Sequence, residues 1–431
     1  MQVVPLVTSL DFNALVGEWQ GRGQASGPGG PQLNFSPAVR STFLSCLFFA
    51  GFGCLIPFLP LWLEKVHGFT GAEIGVVLAI AGFSRALAGP LTAAWADGRS
   101  DRRAPLFMFT ILLTVGFAVL YFLDSFVAVF AVILVLDIAY WGLLPVVETA
   151  LLRLTRTGKP TYGVARGLAS AAFVVGTTVV GVLNDWSGAF WPIWGFMLLI
   201  SALMIAGSAW MPKEPVLARA EIAQPFGDRL SAGLGMLRNP NFTLFIFAAG
   251  LIQASAGFLY TSGSLVWANQ QGMSSKEISM LWNVGTLAEV GFLMFLGNWS
   301  ARFKPETLIV AGGIGAVIRW TALAALPPFW VIVPLQLLHS LSFAATFLGG
   351  MRFIQTIHGD DRAPTAQMIY MGLANAPTYA AAVLISGPLY DRLGAPGYLA
   401  MTAVAGVGLV LAVMLWLRRV PAEQGATVSA E

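Results

Sequence analysis

The chain has 431 residues, of which 57% are hydrophobic and only 10% charged, with a mean hydropathy of +0.74. Soluble domains carry about 25% charged residues, so this chain cannot solvate its own surface in water. A net charge of +3 and 2 cysteines argue against a nucleic-acid binder and a disulfide-stapled secreted domain. The hydrophobic content excludes a disordered scaffold, and long continuous apolar runs exclude an outer-membrane barrel, whose strands alternate. What remains is an all-α integral membrane protein.

Residues 1–37 lack a charged start followed by an apolar core, and QGRGQASGPGGPQ reads as a flexible cytoplasmic tail. Twelve apolar segments follow, at approximately 38–63, 71–95, 104–123, 126–150, 162–183, 189–210, 241–267, 275–300, 307–326, 329–356, 366–388 and 395–417. Several exceed the roughly 20 residues a span needs, so they tilt or kink, with Pro57, Pro60, Pro90 and Pro145 as kink sites. The longest internal polar stretch, 211–240, forms a cytoplasmic linker that divides the chain into six-helix halves at 38–210 and 241–418. A short cytoplasmic tail closes it at 419–431.

Lys and Arg set the orientation. With the N-terminus in the cytoplasm, Lys65, Lys276 and Arg392 fall on the opposite side, and Arg85, Arg166 and Arg319 fall inside spans. The other 18 of the 24 basic residues are cytoplasmic. A bacterial inner-membrane protein with both termini cytoplasmic is the expectation. WADGRSDRRAPL after the second span and WSARFKPETL after the eighth form a weak internal echo. Asp97 in the first is a candidate conformational latch, against the plain positive-inside reading of a basic loop.

An ionisable residue in hydrocarbon costs about 2.5–3.5 kcal/mol on insertion scales, so each needs a partner, a water cavity or a task. The candidates are Arg85, Asp137, Glu148, Arg166, Glu289, Arg319 and His339. Asp137 and Glu148 share a face of the fourth span, and Gln336 and His339 share one of the tenth. Glu148 and Arg166 lie near span ends, where snorkelling to the headgroups is the alternative. Glu289 and Arg319 sit deep. Trp62, Trp186, Trp191 and Trp330 fall near predicted ends and read as interfacial anchors. Cys46, Cys54 and the pair Gly312 and Ala316 read as packing residues, and no phosphate-binding G-x-x-x-x-G-K-[ST] occurs.

From its first span to its last the sequence resembles the branch of the major facilitator superfamily that contains lactose permease and the phenylpropionate permeases, proton symporters of twelve helices. The stretches carrying the resemblance are IPFLPLWLEKVHGFTGAEIGVVLAIAGFSRALAGPL, YGVARGLASAAFVVGTTVVGVL, LHSLSFAATFLGGMRFI and SGPLYDRLGAPGYL. It implies that Glu148 in VETALLR and Arg166 in YGVARGLAS hold substrate, and that Glu289, Arg319 and His339 match the family's charged positions. The departures are informative. Ser342 stands where lactose permease has its coupling glutamate, Phe173 where it stacks a sugar on Trp, and Phe292 where it has an Asn. Arg85 in the second span resembles the Arg that the phenylpropionate permeases place there.

The resemblance therefore implies a substrate site of Glu148, Arg166, Phe173, Arg85 and Phe292, and proton coupling by Glu289 with Arg319, His339 and Asp137. The expected function is symport of a small organic solute with protons by alternating access, an aromatic or other small carboxylate rather than a galactoside. The proton gradient supplies the energy and no cofactor or metal is expected. A monomer in the lipid bilayer, with a small-molecule substrate and no nucleic-acid partner, is the expectation. Rival readings are an efflux antiporter for amphipathic compounds and a non-transporting receptor or assembly factor. A membrane enzyme is disfavoured because no nucleophile–base pair or metal cluster is apparent.

Overall fold

The computed structural model describes residues 35–82, 92, 103–156, 158–212 and 226–418. Among these, eleven helices are long and apolar enough to cross a membrane. In chain order they are α1 (Pro37–His67), α3 (Arg103–Leu120), α4 (Phe126–Leu154), α5 (Tyr162–Ser187), α6 (Trp191–Trp210), α8 (Pro240–Gln271), α9 (Ser275–Leu296), α10 (Pro305–Ala324), α11 (Phe329–Gly359), α12 (Arg362–Leu393) and α13 (Ala395–Leu417). The described part of the remaining span is α2, Gly71–Gly82. The fold is thus all-helical, with twelve spans in two halves. Arg85, Asp97, residues 1–34 and residues 419–431 lie outside the described residues, as does 213–225 of the linker.

Helix ends carry the signals expected of them. Ser36 caps α1, its Oγ accepting from Val39 N at 3.3 Å, with Pro37 at the first position and Gly68 (φ 68°) closing the C-terminus in the left-handed region. The linker contains an eleven-residue helix, α7 (Phe226–Met236), laid against the start of α12. A Cβ at Gly233 would stand 2.6 Å from the Ile369 side chain, which would have to shift to admit it.

Packing inside the N half is backbone on backbone. A Cβ at Gly176 of α5 would meet the Ala50 carbonyl of α1 at 2.1 Å, and Thr177 Oγ1 donates to the Gly53 carbonyl at 2.8 Å. Cys54 is buried beside the Ile193 carbonyl, and Gly312 brings α10 close to Thr346 of α11, both packing roles. Trp186, Trp191 and Trp330 are exposed, as anchors require. Trp62 is not: at 4% exposure it packs on His67, inside the bundle.

The halves meet at the membrane face opposite Phe35 and Arg418, called here the far face. There the first turn of α2 is capped by Asp391 of α12, whose two oxygens accept from Gly71 N and Ala72 N at 2.8 Å each. The first turn of α9 is capped in the same way by Asp185 of α5, with Ser275 N at 2.8 Å and Lys276 N at 2.9 Å. These four helices are related by the six-helix repeat. Each aspartate lies four residues after a glycine, Gly387 or Gly181, at which a Cβ would strike the partner helix's backbone. Glu64 and Lys65 of α1, Asn269 of α8 and Tyr390 of α12 add a hydrogen-bonded cluster on the same face.

Candidate functional site

A cavity of about 970 Å³ lies between the two halves, and both contribute its walls. Volume on that scale fits a drug-sized or smaller solute.

The N-half wall is aromatic. Phe52 stands edge-on to Trp141 and Phe173, with ring centroids 5.3 and 5.9 Å away. The Arg166 guanidinium lies 4.2 Å over the Phe49 ring, an arrangement that holds a cation against an apolar surface. Arg166 Nη1 is 3.3 Å from Glu148 Oε1, off the line a hydrogen bond needs, so the two are paired by charge without a directed bond. Tyr162 Oη donates to the other Glu148 oxygen at 3.3 Å. Arg166, Phe173 and Asp137 line the cavity, whereas Glu148 acts on it through Arg166.

The C-half wall carries a polar chain among its own aromatic rings. Arg319 of α10 is 1% exposed and bonds His339 Nδ1 of α11 at 3.2 Å and the Gln336 carbonyl oxygen. A guanidinium has no acceptor, so Nδ1 must be unprotonated and the imidazole neutral, with its proton on Nε2. That nitrogen stands 3.5 Å from Glu289 Oε2. The order is Glu289, His339, Arg319, Gln336. His339 thus stands between Glu289 and Arg319. Ser342 Oγ bonds back to the Leu338 and His339 carbonyls of its own helix, so it takes no part in the chain.

The placing of Phe292 in the substrate site needs correction. It is buried with Leu308, Ala344 and Ala345 in a small apolar cluster and does not line the cavity. Three residues beyond Glu289 is a turn of about 60° short of a full circle, enough to rotate the ring toward α10 and α11.

Neutral side chains complete the site, and a search for buried charges passes over them. Gln253 of α8 accepts at Oε1 from Tyr370 Oη at 3.1 Å and from Asn375 Nδ2, both on α12. Gln253, Asn375, Tyr260, Trp282 and Tyr379 all line the cavity. Among the described residues the π-helical turns fall in α8, α9, α11 and α12: Leu259–Gly263, Phe292–Leu296, Ser340–Ala345 and Tyr370–Asn375. Such turns gather at functional sites, and Tyr260, Phe343 and Asn375 reach the cavity from them.

Two six-helix halves around a central cavity of this kind define a secondary transporter of the major facilitator fold. The model of the MFS_1 like family matches residues 41–399, and the chain belongs to that family, within the major facilitator superfamily. It is 26% identical over 362 residues to the probable 3-phenylpropionic acid transporter of Escherichia coli (strain K12), covering 83% of this chain and 92% of that one. It is 24% identical over 400 residues to the maltose permease of Geobacillus stearothermophilus, covering 90% and 97%. Among solved structures, the nucleoside transporter NupG superposes with a TM-score of 0.77 at 17% identity, covering 89% of this chain and 100% of that one, a likeness of fold. The chain is a multi-pass membrane transporter and not an enzyme.

Proposed function

We propose that the protein imports a small aromatic carboxylate together with protons, across a bacterial inner membrane with both termini cytoplasmic. The observation that carries the reading is one cavity holding two unlike walls. An aromatic surface topped by Arg166 suits a ring with a carboxylate. Facing it, a polar chain ends in Glu289, a carboxylate that can take and release a proton. Arg offers a planar fork that matches a carboxylate. The likeness to the probable 3-phenylpropionic acid transporter supports the same substrate class.

In this mechanism, protonation of Glu289 breaks its contact with His339, freeing the imidazole and Arg319 to rearrange as the halves rock. Ser342 cannot supply that proton, so Glu289 carries it, with His339 and Asp137 as relays. Arg85 would add a second cation for the substrate. The lock at the far face opens and closes the route from that side, and Asp97 is assigned a latch role on the other. The test is uptake of radiolabelled 3-phenylpropionate by proteoliposomes. Accumulation under an inward proton gradient, abolished by a protonophore, is expected; transport indifferent to the proton gradient would overturn the symport reading.

A further inference from the structure

The wall opposite the aromatic surface contains two glutamines placed alike. Gln253 has its carbonyl end fixed by Tyr370 and Asn375, and Gln336 has its carbonyl end fixed by Arg319. In both, the acceptor of the amide is used inside the protein. Both amide nitrogens are left without a hydrogen-bond partner among the described residues. Both residues are at least nine-tenths buried, at 8% and 1% exposure, and both line the cavity. Arg319 Nε is likewise unpartnered.

A buried N–H group without an acceptor is costly, and here fixing the carbonyl end leaves only the donor end without a partner, tucked just behind the cavity surface where a small shift of the lining exposes it. One such amide has a local explanation; two, on α8 and α11, share a demand. On this wall the Oε2 of Glu289 already stands 3.5 Å from His339 Nε2.

We propose that the C-half wall reads a hydrogen-bond acceptor on the transported solute through the amide N–H groups of Gln253 and Gln336. The solute then carries an acceptor on or beyond its ring, such as a carbonyl oxygen or a heteroaromatic nitrogen, in addition to the carboxylate assigned to Arg166. Gln253 and Gln336 determine specificity by rejecting rings that lack one. This deepens the aromatic-acid reading and rests on the central cavity being the solute site.

The test is a pair of nearly isosteric acids, 3-phenylpropionate and 3-(pyridin-4-yl)propionate, with binding to the purified full-length protein measured by calorimetry in mildly alkaline buffer. The corresponding neutral alcohols, 3-phenylpropanol and 3-(pyridin-4-yl)propanol, form a second pair. Wild type should favour the pyridyl member about tenfold, the scale of one or two neutral hydrogen bonds. Gln253→Met and Gln336→Met should each bring that ratio toward one, whatever they do to absolute affinity. Gln253→Glu keeps an oxygen for Tyr370 and Asn375 while removing the donor, and serves should the methionine variant fail to fold.

If only the alcohol pair binds, with the same preference and the same loss in the variants, the amide proposal stands and the carboxylate reading falls. A wild-type ratio near one, a preference that survives both substitutions, or no binding by any of the four compounds would overturn the proposal.

Discussion

Removing the two aspartates at the far face should release the halves by a measurable amount. Asp391 and Asp185 each accept two backbone N–H bonds at 2.8–2.9 Å from the first turn of a helix in the other half. Each also sits on the positive end of that helix dipole. Charged hydrogen bonds reach about 1.5–3 kcal/mol when desolvated, but both carboxylates are solvent-exposed, and water replaces them when the face opens. About 1 kcal/mol each is therefore appropriate, or roughly fivefold in the closed-to-open ratio for one substitution and thirtyfold for both. Spin labels at Val66 and Trp330, exposed positions on opposite halves at this face, report that ratio by electron–electron distance measurement. Cys46 and Cys54 are first replaced by serine. Asp185→Ala/Asp391→Ala should raise the long-distance population by the product of the two single effects. A double variant with the wild-type distribution would show that the caps shape the helix ends and do not hold the gate.

Arg166→Lys should remain folded and lose about tenfold or more in 3-phenylpropionate affinity, because an ammonium cannot lie flat on Phe49 and fork a carboxylate at once; an unchanged Kd removes Arg166 from the site. Glu289→Gln should retain solute exchange while losing accumulation driven by the proton gradient, and full gradient-driven uptake would remove Glu289 as carrier. If Asp137→Asn alone shows that pattern, the role moves there. A reporter active only outside the cytoplasm, fused after Glu431, should stay silent; a strong signal would reverse the proposed orientation. Gly176→Val should cost more than the ~1–3 kcal/mol of ordinary overpacking, read as a fallen Tm, since the clash is with the Ala50 carbonyl and backbone cannot rotate away.

The span count and the two halves were legible because hydrocarbon imposes length and composition on every crossing segment. Arg166, Glu289, Arg319 and His339 were legible for the same reason: a charge in a span is costly enough to mark itself. What the charge search could not rank was the order within the chain. Glu289 and Arg319 are both deep, yet only the fold shows His339 between them. Phe292 was misplaced because a residue aligned on one helix face can still point to either flank. Gln336 was legible through His339 on the same face, whereas Gln253 was missed because an uncharged Gln in a span gives little signal by itself. The far-face caps had a signal that went unread. GFTGAEI at 68–74 echoes GMSSKEI at 272–278, and GVLND at 181–185 echoes GPLYD at 387–391. In both copies a Thr or Ser is followed three residues on by Glu, a helix-start signature, and the glycine-to-aspartate spacing supplies the partner's cap.

The two halves divide the work unequally, and their backbones explain how. In the N half, α1 and α5 touch through glycines so closely that neither can slide without breaking van der Waals contact, and the wall they carry is rings and one ion pair. In the C half, each cavity-lining helix from α8, α9, α11 and α12 carries a π turn. One inserted residue there rotates the following side chains by about 100° and loosens the local hydrogen-bond ladder. Polar groups of the site sit at those turns: His339 immediately precedes one, and Tyr370 and Asn375 bound another. A helix that can pass between π and α registers offers two discrete arrangements of the same side chains, which is what a proton-dependent rearrangement requires. Under the proposed coupling, a charge change at Glu289 would act on the half whose helices carry the π turns.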